Sequence, residues 1–544
     1  AAEAQSSVCP GQKLENAILS MNVALAGSGG GSTRRSDAHE EVSALQTQLV
    51  ALGATLSHVQ LISCEVPLDR ASLASRSELW TLASSAALTQ RAKGTLGEVN
   101  AAAEACDQEL AAAIERGEVG ALLLVSADVA AATGVNRRAL AAAVRARVPV
   151  CGTGGASLGL AAEAGARLLE VSGSVGTTSH TRAIAVSATL ARHWRLPAYR
   201  PALRPALLSP LPLLDALLPA FVGCLLLRRA ADVASATGLG GGGPPAPLVR
   251  ACGGAAAVLP AAAATLAASR VAQLGESGVL AGAVAGGLLH ASGASSVPAG
   301  MLSGMAAGGC CRLALRHSVA LGLAATAATL YTVAASGAAG GLLGAALAPA
   351  ASAATEAVRE LLLAPTRLAP AARLACGAAM GVGVKQLSVH GRYHGVLFPL
   401  ILLEMEHGRP SLLGALDAAC LCAVCGGVCA AVALRARVAD ERRAAARAAR
   451  TNLLLGDRVE ACYPYMAEHA TVRVAAWIGA ALAGAIIVAT DARSSAYLPL
   501  PLSAAVSPQP LWFGLACAAA FAAPFAGTLC VRRPLGLGPR GAKP

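Results

Sequence analysis

Polar and apolar positions divide this chain into two regimes. From about residue 45 to 195, short apolar runs alternate with amphipathic stretches. Val42 to Leu52 reads as a helix and Leu56–Cys64 as a strand. Residues 77–91 and 98–116 read as helices, the second closed by Gly117. Strands are then expected at Ala121–Ser126, Val148–Gly152 and Arg167–Ser172. Helices are expected between and after them, at Asn136–Arg147, 157–164 and Thr181–Trp194. Short apolar strands separated by helices predict an α/β domain with a parallel sheet and Gly-rich loops, spanning 45–200. Residues 1–44 read as a flexible N-terminal segment, with GSGGGSTRR at 27–35 as a linker or turn.

Beyond the Pro-rich LPAYRPALRPALLSPLP at 196–212, long apolar runs replace the alternation. Candidate spans are 211–227, 251–269, 278–308, 317–334, 335–350, 371–384, 411–434, 473–490 and 511–530. Several are short or interrupted by Gly and Pro, which sets the count between six and nine. The pattern predicts a polytopic α-helical membrane domain with interrupted helices over 205–434. A basic amphipathic connecting helix follows at 435–470, then a transmembrane helix pair at 471–535, with Trp477 and Trp512 near its ends as interfacial aromatics.

Composition supports this division. Of 544 residues, 55% are hydrophobic and 14% charged, against about 25% charged in an average globular chain; mean hydropathy is +0.57. The net charge of +12 does not call for nucleic acid, because the arginines flank apolar runs and only 3% of residues are aromatic. Nucleic-acid binding is therefore not expected. The 16 cysteines are scattered, many within apolar runs, and read as small buried hydrophobes. Cys420, Cys422, Cys425 and Cys429 are read the same way, so no metal site is assigned.

The most informative run is GVLFPLILL at 395–403. Nine helical residues reach roughly 13–14 Å, less than half of a hydrocarbon core of about 30 Å. It reads as a half-helix or re-entrant piece with charged shoulders. Lys385, His390, Arg392 and His394 precede it, and Glu404, Glu406, His407 and Arg409 follow it. His390 and His394 would share a face if helical, as would Glu404 and His407. Asp417 and, in the interrupted run 278–308, His290 are further candidates. Ionisable residues at membrane depth mark pathways for ions, protons or substrate. The transport or substrate set is thus His390, Arg392, His394, Glu404, Glu406, His407, Asp417 and His290, with Arg392 as the anion partner.

In the α/β domain, VPVCGTGGASLG at 148–159 runs from a strand into a helix through Gly152, Thr153, Gly154, Gly155 and Ser157. The next strand is followed by SGSVGTTSHTRA, which offers Ser174, Thr177, Thr178, Ser179, His180 and Arg182. Loops of this kind at the carboxyl ends of parallel strands suit a small anion or phosphorylated ligand. Neither a Walker A motif nor a GxGxxG fingerprint is present, and no cofactor is specified.

The expected function is a membrane transporter or channel for a small anionic solute, with proton coupling as one option and an anion-binding α/β domain. Two alternatives stay open: a structural subunit of a membrane complex, or a membrane-bound enzyme acting through the α/β domain. The expected setting is a bacterial inner membrane or an organelle membrane. The lipid bilayer and either further copies of the chain or a membrane complex are its expected partners.

Overall fold

A computed structural model of the chain describes residues 22–27, 35–65, 72–83, 87–130, 134–153, 155–172, 177–196, 199–236, 246–293, 296–456 and 460–531. Two compact units are present. The first comprises Ala1–Leu207, Ala268–Ala285 and Gly304–Gly341; the second comprises Leu208–Ala267, Gly286–Ser303 and Leu342–Pro544.

The first unit is built on a seven-stranded sheet. Its strands are β1 (Asn22–Gly27), β2 (Thr55–Cys64), β3 (Arg76–Leu82), β4 (Leu88–Thr95), β5 (Ala121–Val125), β6 (Val150–Thr153) and β7 (Leu168–Ser172). Their order is β4-β3-β2-β1-β5-β6-β7. The five strands from β2 to β7 in that order run parallel, and β3 and β4 join antiparallel at one edge. Helices α1 (Arg35–Leu52) and α5 (Ser179–His193) cover one face; α2 (Leu96–Glu115), α3 (Arg137–Arg145) and α4 (Gly155–Glu163) cover the other. The strand period of two sorts the core: Val23, Leu25 and Leu123 meet α1 and α5, while Ala24, Leu122 and Leu124 meet the opposite layer. The α/β reading holds, with a mixed sheet in place of a wholly parallel one.

Two segments differ from expectation. Residues 77–91 are not helical: Arg76–Leu82 and Leu88–Thr95 form an antiparallel hairpin. Apolar Leu79, Trp80 and Leu82 have a helix-like spacing, but cross-strand pairing and burial against β2 override it. Asn22–Gly27, expected within the flexible N-terminal segment, is the strand at the sheet's centre, between β2 and β5.

Among the described residues, the rest of the chain is mainly helical. In order come α6 (Leu211–Ala236), α7 (Ala246–Gly253), α8 (Leu259–Ala272), α9 (Glu276–Ala291), α10 (Val297–Ala320) and α11 (Ala325–Leu363). Then follow α12 (Pro370–Val389), α13 (Tyr393–Met405), α14 (Leu412–Asp417), α15 (Val424–Arg435) and α16 (Ala439–Arg450). The last are α17 (Tyr463–Glu468), α18 (Ala470–Thr490), α19 (Leu500–Val506) and α20 (Pro510–Leu529).

Among the described residues, six helices are long and apolar enough to cross a membrane: Leu211–Ala236, Ala255–Ala272, Ala325–Arg367, Leu412–Arg435, Ala470–Thr490 and Pro510–Leu529. These mark an integral, multi-pass membrane protein. The separate spans expected at 317–334 and 335–350 are largely one helix, α11, of 39 residues. Its Ala content sustains the helix through the Gly-containing stretch that suggested a break. The run 278–308 is interrupted as expected, between α9 and α10.

Leu412–Arg435 is the core of the second unit. A π-helical turn at Ala418–Ala423 joins α14 to α15. Its central window is 94% buried, whereas no other span exceeds 50%. Glycine sets the spacing around it. A Cβ at Gly427 would stand 2.3 Å from Phe521 O, and one at Gly381 would stand 2.1 Å from Ala480 O. Such contacts let helix backbones touch where lipid provides no hydrophobic drive for association.

Candidate functional site

The half-helix is α13, 13 residues long with Pro399 inside it, and so reaches only about 20 Å. A turn with Gly408 at φ +63° ends it. Ser411 then caps α14, its Oγ accepting from Gly414 N at 2.8 Å. A helix start leaves N–H groups unpaired and favours negative charge. Here Glu404 supplies that charge: its buried carboxylate accepts from Leu412 N at 3.3 Å and Leu413 N at 2.8 Å. Glu406 has a parallel role, accepting from Val297 N at the first residue of α10 and facing Arg359 at 3.7 Å. Both acids from the second charged shoulder therefore sit on helix N-termini.

Asp417 closes α14 just before the π-helical turn and is buried. Tyr393, also buried, brings its hydroxyl to Asp417 and Tyr497. Tyr497 is held at φ +62°, an outlier for a bulky residue, with its ring edge-on to Phe398 at 5.8 Å. It lies in the irregular segment between α18 and α19, where Ser494 and Ser495 are fully buried, as is Ser503 in the first turn of α19. Ser494 Oγ donates to Ser503 O at 2.7 Å, and Ser503 Oγ donates to Leu498 O at 3.2 Å. The backbone of Ser494 also pairs with Ser411, at 2.7 and 3.0 Å. Non-helical backbone within a membrane protein is tolerated where protein or a cavity satisfies it, and these serines do so. None of 494–503 was singled out from sequence, because SSAYLPLPLS looks like an ordinary exposed loop.

The basic shoulder divides differently. His390, Arg392, His394 and His407 are exposed, as is His290. His390 follows α12 and His394 lies in α13, with Gly391 at φ +69° between them, so the pair does not share a helical face. Glu404 and His407 are likewise separated by the end of α13 at Met405. His394 lies 3.8 Å from Asp215 at the surface. Lys385, by contrast, is fully buried. It donates to Cys425 Sγ at 3.2 Å and Cys462 Sγ at 3.8 Å, with its ammonium 4.9 Å from the centre of the Tyr463 ring. Cys425 thus does more than fill space. Among the described residues, no group of three or more His, Cys, Asp or Glu is placed to hold a metal ion.

In the α/β unit, β5, β6 and β7 end level with one another: Val125 pairs with Thr153, and Thr153 with Ser172. The candidate loops therefore leave one edge of the sheet, although Gly154 and Ser174 lie outside the described residues. Gly152 has a reason of its own, because a Cβ there would stand 2.2 Å from Leu124 O on the adjoining strand. Thr153 and Ser157 are buried, and Gly155 opens α4. Thr178 caps α5 in a reciprocal pair with Thr181, which uses the N–H groups of these two residues internally. Arg182 is held by Glu41 in a two-bond contact at 2.5 and 3.2 Å and donates to Thr177 Oγ1 at 3.0 Å and Ser179 Oγ at 3.4 Å. It is not an uncommitted cation. His180 lies 3.7 Å from Glu40, and burial lowers its pKa against the opposing pull of that carboxylate.

Sequence reading also missed the switch point of the sheet. From β1 the chain moves to β2 on one side and later to β5 on the other, and parallel sheets open their ligand crevice at such a point. Ser126, directly after β5, has φ +46°. A cleft of about 660 Å3 near the carboxyl end of β2 is lined by Cys64, Arg76, Lys93 and Glu98, among others, with Glu78 paired to Lys93 at 3.1 Å. The chain matches no protein-family model and no curated protein, so fold and geometry alone carry the functional argument.

Proposed function

We propose that the chain is a membrane transporter or channel for a small anionic solute, with protons or substrate handled around the half-helix. The observation carrying this reading is the broken helix pair α13 and α14, whose junction holds the buried carboxylate of Glu404 on free backbone N–H groups. Discontinuous helices of this kind bring dipole ends and ionisable groups into a membrane interior, where solutes are bound and released. Glu404, Glu406 and Asp417 form the inner set. His390, Arg392, His394, His407 and His290 are surface groups that would meet solute entering or leaving, with Arg392 as its first cationic contact.

The α/β unit would bind an anionic or phosphorylated ligand through its loops at 152–157 and 174–182. Since Glu41 occupies Arg182, backbone N–H and hydroxyl groups there would make the contact. The membrane would be a bacterial inner or organelle membrane, and the working form a homo-oligomer or part of a complex.

The test is uptake into proteoliposomes of labelled phosphate, sulfate and small carboxylates, with and without a pH gradient. Flux of at least one solute is expected, and Glu404→Gln should abolish its proton-coupled component while the protein stays folded. Absence of flux across the panel would sink the reading. Unchanged flux in Glu404→Gln would remove that residue from the mechanism.

A further inference from the structure

Three separate pieces of the second unit bring arginines to the lining of one small cavity of about 270 Å3. Arg228 and Arg229 come from α6, Arg409 from the turn after α13, and Arg493 from the segment after α18. Asp491 holds Arg493 through both oxygens, at 3.1 and 3.0 Å. Asp232, which is exposed, also lines the wall. Among the described residues, no carboxylate pairs with Arg228, Arg229 or Arg409 within 4 Å. Arg229 Nε is shut off from solvent and has no hydrogen-bond partner. Four arginines matched by only two carboxylates, and a buried donor without an acceptor, are both unfavourable until something fills the space.

The frame is set before any ligand arrives. Arg228 Nη1 donates to His407 O at 3.1 Å. The adjoining Gly408 is pressed so closely onto its neighbours that an added Cβ would stand 3.3 Å from Ala256 Cβ and 3.4 Å from Cys224 O. Turn and helix are therefore fixed to each other, which limits the ordering cost of binding.

We propose that this cavity binds a phosphate group, carried either by a free anion or by a lipid headgroup. Guanidinium forks match phosphate oxygens two at a time, and several forks around one small space suit a group with several anionic oxygens better than a single carboxylate. The volume is below the roughly 300–1,000 Å3 of pockets that hold drug-sized ligands, which limits the occupant to a small anion or one headgroup phosphate. The site stands apart from the transport reading, since binding is measured without flux.

The experiment uses the full chain in phosphatidylcholine nanodiscs, titrated with inorganic phosphate against chloride at matched ionic strength and followed by thermal shift. A parallel arm uses nanodiscs containing phosphatidic acid, with lipid retention read by native mass spectrometry. A saturable, phosphate-specific rise in Tm is expected, with binding about tenfold weaker or worse in Arg409→Gln and in Arg229→Lys. If phosphate gives no shift but phosphatidic acid is retained by the wild-type chain and lost from Arg409→Gln, the headgroup is the ligand. If neither phosphate nor phosphatidic acid distinguishes wild type from the variants, the site is overturned. Arg409 is exposed on its turn, so Arg409→Gln decides the matter if Arg229→Lys fails to fold.

Discussion

Glu404 Oε2 accepts a hydrogen bond from the backbone N–H of Leu413 at 2.8 Å, so one buried carboxylate joins the end of the half-helix to the start of the core helix. Glu404→Ala would leave two buried N–H groups without an acceptor and should cost about 1–3 kcal/mol. Glu404→Gln keeps one acceptor oxygen and should cost less. Thermal unfolding of the two variants in detergent checks the order; equal losses would show that the carboxylate does not cap α14.

Close approach of α12 to α18 gives a sharper contrast. Gly381→Leu would drive a side chain into Ala480 O and should destabilise by about 1–3 kcal/mol or prevent assembly of the bundle. Gly383, two residues on, meets nothing within 4 Å. Gly383→Ala should be neutral or stabilising by up to about 1 kcal/mol, through helix propensity alone. Thermal unfolding and expression level compare the two directly.

Arg182 and Glu41 test whether the α/β loops need their arginine for folding or for ligand. The pair is largely buried, and removing one partner strands the other charge, which costs about 3–5 kcal/mol. Glu41→Gln should therefore lower the stability of the first unit as strongly as Arg182→Gln. A loss confined to Arg182→Gln would assign the stability to its contacts with Thr177 and Ser179 and not to the ion pair. Hydrogen exchange in β6 and β7 is the readout.

Two histidines give the same unit an acid-sensitive term. Burial is the main cause lowering the pKa of both His58 and His180 from an ordinary value near 6.5. The unfolded chain then takes up protons first as pH falls, so stability is fully present above about 6.5 and declines as pH drops toward the lowered folded values. Exchange in the first unit, corrected for its intrinsic pH dependence, should rise between pH 7.5 and 5.5. The rise should be smaller in His58→Gln/His180→Gln; an unchanged slope would assign the term elsewhere.

Legibility followed locality. The strands at 56–64, 121–126, 148–152 and 167–172 and the helices at 98–116, 136–147, 157–164 and 181–194 are continuous local patterns, and each is present within a few residues, whereas 77–91 is a hairpin. The half-helix was legible because charged residues bound its apolar run on both sides. Asn22–Gly27 was not, since six residues beside a Gly-rich stretch carry little signal until β2 and β5 flank them. Lys385 looked like part of a solvated shoulder because its thiol partners lie 40 and 77 residues away. Arg409 was visible as a charge, but its companions Arg228, Arg229 and Arg493 are gathered only by the fold.

Leu412–Arg435 combines a hydropathy of 2.0, matched among the six spans only by Ala470–Thr490, with the greatest burial. Its oily surface is spent on neighbouring protein, and lipid scarcely reaches it. Residue exchange along this helix should then be governed by volume. A larger side chain of equal oiliness would be rejected, while Cys, Ala and Ser should replace one another with modest effect everywhere but at Cys425, whose thiol accepts from Lys385. On the outward faces of Pro510–Leu529, 28% buried, the ordering should reverse, with size tolerated and polarity refused.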